Sequence, residues 1–327
     1  MGKLVMVILA VFLAVAVSSI GEAAETQRWK IGHVRPEGSA VDKDIRQFVD
    51  QIDVQTQSAI RFEIYPGNKL GDYSVVQERV SFGEVEMYVG PFGTSIDKRL
   101  ALAFTPFLVS DWAQAKAVYH QGSALFKEMA ELLAEQNIHL VGGWPVYFGG
   151  IGMTQKPTQP GNPDLDKQMI IRVPPIRCFE RTARELGFTP YPITWTYAKM
   201  GLKTGMVAGI MGGGAEGYLG LKGILKYYLP VNDHFEYWFI YVNRDAWNRL
   251  PQSQKTLLTT LAGEMEQRRY AVAEAAEADS IDALAREGVA VIPLSDGERR
   301  AIQEKIKRNV WPEMRSEIGA VFDRIAN

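Results

Sequence analysis

The 327-residue sequence has one cysteine and four histidines, and its charges almost cancel. Because Cys178 stands alone, no intrachain disulfide can form, and stability has to come from a hydrophobic core. No histidine pairs with another histidine, a cysteine or a carboxylate at metal-binding spacing, so neither a metal nor a cofactor is predicted. Lys and Arg total 36 against 38 Asp and Glu, which leaves no positive surplus for a nucleic-acid partner.

Long apolar runs are also scarce. The clearest one covers residues 4–17, follows Lys3 and precedes small residues up to Ala24. It is shorter than the roughly 20 residues that span a bilayer, which disfavours a membrane anchor. The pattern predicts a secretory signal peptide over residues 1–23, and therefore a periplasmic protein.

Further along the chain, short apolar runs alternate with longer amphipathic segments, which is typical of an α/β protein. The length favours two lobes. Strands of a first lobe are predicted at residues 29–34, 60–65, 85–90 and 139–144. Strands of a second lobe are predicted at residues 151–154, 169–173 and 188–192, and a further strand at 238–243.

The predicted boundaries place residues 24–149 plus about 238–277 in lobe 1, and residues 150–237 plus about 278–327 in lobe 2. Residues 253–287 contain no proline and are rich in Ala, Glu and Arg. They predict one long helix, or two abutting ones, that lies across both lobes. A coiled-coil dimerisation helix is the alternative, but the apolar positions do not maintain a heptad repeat.

Arg172 is the most informative polar residue. It ends an apolar strand and is followed by Pro174 and Pro175, which turn the chain. Ligands of open α/β sheets bind at strand ends, and a guanidinium matches the two oxygens of a carboxylate. We therefore predict a ligand carboxylate at Arg172, with an ordinary surface salt bridge as the alternative.

Gly212, Gly214 and Gly217 have the spacing of a dinucleotide fingerprint, which leaves a periplasmic oxidoreductase as an alternative function. No acidic residue closes a following strand at the distance that such a site needs. We favour an open loop in which Gly212, Gly213 and Gly214 let the backbone approach a ligand closely. An enzyme is therefore not expected.

Aromatic residues at strand ends and in loops are candidates for a pocket in which a planar ligand stacks. The candidates are Trp195, Tyr147, Phe148, Phe92, Tyr73 and Trp238.

Several separated segments together resemble the substrate-binding proteins of tripartite ATP-independent periplasmic (TRAP) transporters. The similar segments are Ile31 to His33, Tyr65, Pro66, Leu70, Gly71, Pro106, Phe107, the Ile-Arg-Val-Pro run at 171–174, Leu202, Thr204, Gly205, Val207 and Gly209. The resemblance implies a two-lobed periplasmic binding protein of the type II-like flytrap kind with a long helix spanning both lobes. It further implies an arginine at Arg172 that pairs with the ligand carboxylate, an aromatic ring at Trp195 over the ligand, and TRAP membrane subunits as partners of a monomer.

The chain departs from the family pattern at three polar positions. Residues 207–212 replace a run that contains an Asn in many relatives, Tyr197 replaces a common Glu, and Ile151 replaces a second Arg. A heavily hydroxylated sugar acid would find few partners here, so an aromatic acid or aromatic 2-oxo acid is the predicted ligand. A sensor-associated binding protein, which presents its ligand to a receptor, remains an alternative to a transport component.

Overall fold

The computed structural model describes residues 26–326, so the predicted signal peptide lies outside the described residues. One mixed sheet contains five strands in the order β2-β1-β3-β10-β4. These strands are β1 (Gln27–His33), β2 (Ile60–Tyr65), β3 (Met87–Gly90), β4 (Ile138–Phe148) and β10 (Phe235–Asn243). β10 runs antiparallel to both β3 and β4, whereas β1 pairs in parallel with β2 and β3.

A second mixed sheet contains six strands in the order β11-β9-β5-β8-β6-β7. These strands are β5 (Gly150–Met153), β6 (Ile170–Val173), β7 (Thr189–Pro192), β8 (Gly209–Gly213), β9 (Tyr227–Leu229) and β11 (Ala290–Val291). The α/β class and all eight predicted strands are confirmed, with boundaries shifted by a few residues. β9 and β11 were not predicted because two or three residues are too short for a periodic pattern.

Twelve α-helices surround the sheets within residues 26–326. They are α1 (Ala40–Gln55), α2 (Tyr73–Ser81), α3 (Trp112–Val118), α4 (Ala124–Ala134), α5 (Arg177–Glu185), α6 (Trp195–Thr204), α7 (Ala215–Tyr218), α8 (Arg244–Asn248), α9 (Gln252–Arg286), α10 (Asp296–Asn309), α11 (Trp311–Ile318) and α12 (Ala320–Ala326). Gly205 ends α6 at a φ of 73°, and a reciprocal capping box of Ser295 and Glu298 starts α10. In the described part of the chain, no helix combines the length and apolar character that crossing a membrane requires.

The long helix is confirmed as a single element of 35 residues, α9. It packs on β4 and α1 beside the first sheet and on α7 and β11 beside the second, so it spans both lobes. Glu277 ties the helix to the passage between the sheets, because its carboxylate accepts the Phe148 backbone N–H at 2.7 Å and the Trp112 indole N–H at 2.9 Å.

The chain crosses between the two sheets three times: from β4 to β5, from β9 to β10, and along α9 to β11. The first two crossings run side by side and are hydrogen bonded to each other. Gly149 donates its N–H to the His234 carbonyl, and its own carbonyl accepts the Asn232 N–H, both at 2.8 Å. A Cβ at Gly149 would lie 2.2 Å from the His234 ring, so only glycine lets the two segments approach this closely.

The C-terminal helices contact one helix that packs beside each sheet. Arg324 of α12 forms a bidentate ion pair with Glu128 of α4, and Arg181 of α5 pairs with Glu313 and Glu317 of α11. The largest cluster of buried apolar residues likewise includes members from both halves. The predicted lobe boundaries stay a prediction, and the segment from residue 296 onward lies against both lobes.

Candidate functional site

Arg172 lies in β6 between β7 and β8, where Pro174 stops the strand. Although charged, the residue is only 1% exposed. Its Nε donates to the Ile193 carbonyl at 2.8 Å and its Nη1 to the Met211 carbonyl at 3.1 Å. These two bonds fix the guanidinium plane, and among residues 26–326 no hydrogen bond involves Nη2.

The alternative of a surface salt bridge at Arg172 is wrong. The residue is buried, and in the described part of the chain no carboxylate oxygen comes within 4.0 Å of its guanidinium. Burial lowers the pKa of Arg172 because desolvation disfavours the charged form, and the hydroxyls of Tyr73 and Tyr218 oppose that shift. An arginine nevertheless remains protonated in proteins, so the site contains a desolvated cation that no carboxylate of the described residues contacts directly.

Arg172 lines a small cavity of about 50 Å³ between the two sheets. Residues from the first half of the fold and residues from the second half enclose it together. The lining residues are Val34, Arg35, Tyr73, Pro91, Phe104, Tyr147, Arg172, Pro174, Ile176, Phe179, Trp195, Gly212, Glu236 and Trp238. A wider cleft of about 770 Å³ lies beyond Arg35 and Trp195, which line both spaces.

Of the ten residues that the sequence singled out, the structure brings six to this cavity. They are Arg172, Trp195, Tyr147, Tyr73, Trp238 and Gly212. Trp195 starts α6 half-buried, with its ring nearly parallel to that of Tyr218 at 6.3 Å and the Arg172 guanidinium carbon 5.5 Å from its centre. A planar ligand held at Arg172 would therefore meet an aromatic surface.

Phe92 and Phe148 belong to the core rather than to the cavity lining. The Phe92 ring stacks on Phe239 at 4.1 Å, and the Phe148 ring packs edge-on against Phe235 at 5.1 Å. Both residues are at most 2% exposed. Sequence position near a strand end could not distinguish them from Tyr147, because successive strand side chains point to opposite faces.

The expectation of an open glycine loop is wrong. Gly212 and Gly213 lie in β8, and Gly214 immediately precedes α7. A Cβ at Gly212 would lie 2.3 Å from the Pro174 ring, whereas Gly213 and Gly214 leave room for the rings of Tyr218 and Tyr147. The three glycines therefore permit close protein packing around the cavity, and Gly212 alone lines it.

Arg35 is a cavity residue that was missed. It follows β1, precedes Pro36 and is 8% exposed, and its Nη2 donates to the Tyr147 hydroxyl at 3.0 Å. Gly217 makes room for it, since a Cβ there would lie 2.9 Å from Nη2. The sequence contained a signal for Arg35, because a proline follows it closely at the end of a strand, as Pro174 follows Arg172.

Glu236 was also missed as a cavity residue. Its Oε1 accepts the Trp238 indole N–H at 2.6 Å, and its Oε2 lies 3.3 Å from Nε2 of His234. On its other side, His234 Nδ1 lies 2.7 Å from Asp233. Burial by itself would lower the pKa of His234, but the two carboxylates outweigh it and raise the pKa to about 10.

We expect His234 to remain an imidazolium throughout the neutral range. Its folded pKa lies above the unfolded value of 6.5, so its stabilising contribution is full below pH 6.5 and is lost as the pH rises towards 10. The free energy of unfolding should fall by up to about 1.4 kcal/mol per pH unit in that window. Denaturation series from pH 6 to 10 should show this slope in the wild type and not in His234→Asn, and equal slopes would contradict the assignment.

Ile151 and Tyr197, two of the positions where the sequence departs from TRAP relatives, lie away from the cavity surface. Ile151 is fully buried in the core, and Tyr197 is 66% exposed on α6. Because Arg35 and Glu236 line the cavity instead, the site contains more polar groups than the sequence led us to expect.

The dinucleotide alternative fits the structure poorly. β8 does lead into a helix, but α7 has only four residues, and the backbone around Gly212 is packed against Pro174 and not free to hold a pyrophosphate.

Within residues 26–326, no group of three or more His, Cys, Asp and Glu side chains could hold a metal ion. Burial raises the pKa of the Cys178 thiol to about 12, which disfavours a reactive nucleophile.

Solved structures with the same fold cover nearly the whole chain. A TRAP periplasmic solute-binding protein from Desulfovibrio salexigens, with bound orotic acid, superposes with a TM-score of 0.83 at 17% identity over 91% of this chain and 96% of that one. DctP7, a Bordetella pertussis extracytoplasmic solute receptor binding pyroglutamic acid, has a TM-score of 0.80 at 22% identity over 91% and 98%. At these identities the likeness shows the fold.

Sequence comparisons agree with the fold. A solute-binding protein from Albidiferax ferrireducens is 27% identical over 307 residues, which cover 89% of this chain and 87% of the relative. The sialic acid-binding periplasmic protein SiaP of Vibrio cholerae is 21% identical over 322 residues, which cover 94% and 95%.

The profile of bacterial extracellular solute-binding protein family 7, the DctP family, matches residues 31–317. Its members are solute-binding receptors and not enzymes, so the expectation of a binding protein is confirmed and the oxidoreductase alternative is wrong. This chain, with its two sheets, its long helix and a buried arginine between the lobes, belongs to bacterial extracellular solute-binding protein family 7.

Proposed function

We propose that this protein is a periplasmic receptor that binds a small organic acid and delivers it to a TRAP-type membrane transporter. The ligand carboxylate binds to Arg172, and an aromatic or apolar body lies against Trp195, Tyr147 and Trp238. The protein acts as a monomer and reaches the periplasm by means of an N-terminal signal peptide. Orotic acid and pyroglutamic acid in two solved relatives support an acid as the ligand class.

The observation on which the proposal depends is the uncompensated charge of Arg172. Two of its donors are used by backbone carbonyls, which leaves Nη2 for a ligand. A buried cation without an anionic partner costs several kcal/mol, and a carboxylate in the cavity would recover most of that cost. An anionic ligand is therefore the occupant that the electrostatics favour.

The aromatic rings favour a planar or apolar ligand body. The cavity is enclosed by Trp195, Trp238, Tyr147 and Tyr73, and its other walls include Phe104 and Phe179. Such walls stabilise an unsaturated ring by stacking. This is the physical basis for expecting an aromatic acid or aromatic 2-oxo acid. Because a cavity that holds benzene measures about 150 Å³, the cavity of about 50 Å³ has to widen, or the ring has to extend into the cleft beyond Arg35 and Trp195, when such a ligand binds.

A ligand that binds between the lobes can couple its binding and release to closure and opening of the lobes. Arg172 and Trp195 belong to the second half, whereas Tyr147 and Trp238 belong to strands of the first sheet. A ligand that contacts both halves stabilises the closed arrangement only through its greater affinity for that arrangement. The three crossings, of which two meet at Gly149, would act as the hinge.

A first test is to identify what the protein retains when it is purified from its native host without refolding. We expect native mass spectrometry to show one bound, chemically intact monocarboxylic acid in each protein monomer. Recovery of a nucleotide, or conversion of an added acid to a product, would contradict the proposal.

A second measurement tests the carboxylate directly. Isothermal titration calorimetry should show that the recovered acid binds at least about 30-fold more tightly than its primary amide, because the neutral amide lacks the ionised oxygens that the Arg172 guanidinium attracts. Equal affinity for acid and amide would place the recognised group elsewhere on the ligand.

A further inference from the structure

Arg35, which lines the cavity, has a buried donor without a partner among the described residues. The residue is 8% exposed, and its Nε is buried without a hydrogen-bond partner among residues 26–326. Its Nη2 is used by the Tyr147 hydroxyl, and no carboxylate of the described chain lies within 4.0 Å of the guanidinium. A buried N–H without an acceptor is rare in folded proteins and requires an explanation.

Aromatic rings compensate only part of the charge of Arg35. Its guanidinium carbon lies 5.1 Å from the Trp238 ring centre, 5.4 Å from that of Trp195 and 6.0 Å from that of Tyr147. Ring faces attract a cation, but they do not accept a directed hydrogen bond of full strength from the Nε–H. The orphaned donor therefore points to an acceptor supplied from outside the chain.

The charges near the cavity indicate the kind of acceptor. Among the charged residues that line the cavity and the groups joined to them through direct ion pairs, Arg35 and Arg172 contribute two positive charges, and Asp233, His234 as an imidazolium and Glu236 together contribute one negative charge. One carboxylate at Arg172 therefore neutralises the site. A second carboxylate would leave a net negative charge in a desolvated space, which is unfavourable. The acceptor for Arg35 should consequently be neutral.

We propose that Arg35 is a second ligand-binding residue that donates to a neutral oxygen, and that the ligands are monocarboxylic acids with an oxo, ring-carbonyl or amide oxygen. This inference rests on the proposed function, in which Arg172 binds the carboxylate. Arg35 follows β1 of the first sheet, whereas Arg172 lies in β6 of the second. The neutral oxygen would thus be the group through which the ligand connects the two lobes.

The position of Arg35 at the boundary between the inner cavity and the outer cleft supports this role. Arg35 and Trp195 line both spaces, and Trp195 belongs to the opposite half of the fold. A ligand oxygen that fixes the Arg35 side chain by a hydrogen bond also fixes the boundary between the two spaces. Acids without the neutral oxygen should bind to Arg172 yet close the lobes less completely.

The test uses matched acids that differ only in an oxo group. The pairs are phenylpyruvate with 3-phenylpropanoate, 3-benzoylpropanoate with 4-phenylbutanoate, and 2-oxobutanoate with butanoate. We expect calorimetry to show that the wild type prefers the oxo acid by roughly 10- to 100-fold in at least one pair, since a hydrogen bond from a charged donor has about this effect. In Arg35→Met this preference should disappear, with little change for the acid that lacks the oxo group.

Two further variants keep the result interpretable. Arg35→Lys retains the charge and should retain part of the oxo preference even if Arg35→Met folds poorly. Arg181→Met is the matched control, because Arg181 is also largely buried, pairs with Glu313 and Glu317 and lines neither the inner cavity nor the outer cleft. It should lower the thermal midpoint of unfolding and keep the preference.

Small-angle X-ray scattering adds a readout that a purely structural role of Arg35 would not change. The preferred oxo acid should reduce the radius of gyration of the wild type more than its matched acid does, and this difference should vanish in Arg35→Met. The inference is wrong if the wild type shows no oxo preference in any pair, or if Arg35→Met weakens both acids of a pair equally. Unchanged binding of both acids by Arg172→Met would instead contradict the proposed function itself.

Discussion

Replacing Arg172 with methionine is expected to weaken binding of the acid by about 2 to 5 kcal/mol, which corresponds to roughly 30-fold to a few thousand-fold in Kd. The loss is large because the variant would leave a carboxylate in a desolvated cavity with no cation in direct contact. Methionine has a similar length but cannot donate to the Ile193 and Met211 carbonyls, so the thermal midpoint of unfolding is measured beside the affinity. Isothermal titration calorimetry with the acid recovered from the protein measures the effect.

Lysine at position 172 distinguishes the contribution of the positive charge to the affinity from the contribution of the guanidinium geometry. Arg172→Lys should bind with intermediate affinity, because an ammonium attracts the carboxylate but cannot bond to the Ile193 and Met211 carbonyls and to the ligand in one fixed plane. Arg177→Met is the control, since Arg177 is 72% exposed on the neighbouring α5. Wild-type affinity in Arg172→Met, with Arg177→Met also unchanged, would show that the carboxylate binds elsewhere.

Gly212→Ala is expected to destabilise the protein by roughly 2 to 5 kcal/mol and to weaken acid binding. Gly212 has a φ of 82°, which costs an L-residue about 1 to 2 kcal/mol. The new methyl group would also lie 2.3 Å from Cγ and 2.4 Å from Cδ of Pro174, and such overpacking adds about 1 to 3 kcal/mol. Since Pro174 follows the strand of Arg172, relief of the contact would displace the guanidinium.

Gly223→Ala measures the loss of stability that comes from the backbone conformation alone. Gly223 has the same φ of 82°, but a Cβ there meets nothing within 4 Å. Only the conformational cost of about 1 to 2 kcal/mol should appear, and acid binding should stay at the wild-type level. If chemical denaturation shows that the two variants are equally destabilised, then close packing against Pro174 is not the reason why position 212 requires glycine.

Periodicity alone was sufficient to predict most of the fold. Alternating apolar runs placed eight strands correctly, and the proline-free, alanine-rich segment became the 35-residue α9. These predictions succeeded because strand and helix patterns are local properties of the sequence. The short strands β9 and β11 form only because their neighbours offer hydrogen bonds, which a local pattern does not reveal.

The site was predictable in part. Arg172 was recognised as a strand end followed by prolines, and the same reasoning would have found Arg35 before Pro36. Phe92 and Phe148 could not be separated from Tyr147 and Trp238, because the direction of each side chain depends on register and on what packs above the strand. Glu236 was missed because the sequence does not show that this carboxylate is buried and lines the cavity.

The sequence by itself determined the α/β class, the positions of the long elements and the arginine at the end of β6. Each of these depends on interactions between residues that are near in the chain. Only the tertiary structure decided that Arg35, Arg172 and Glu236 line one cavity, that no carboxylate of the described residues neutralises the two arginines by direct contact, and that the glycines before α7 fit against protein side chains. Those properties depend on distances between segments that are not neighbours in the chain, which are set by packing of the two lobes and not by any local pattern.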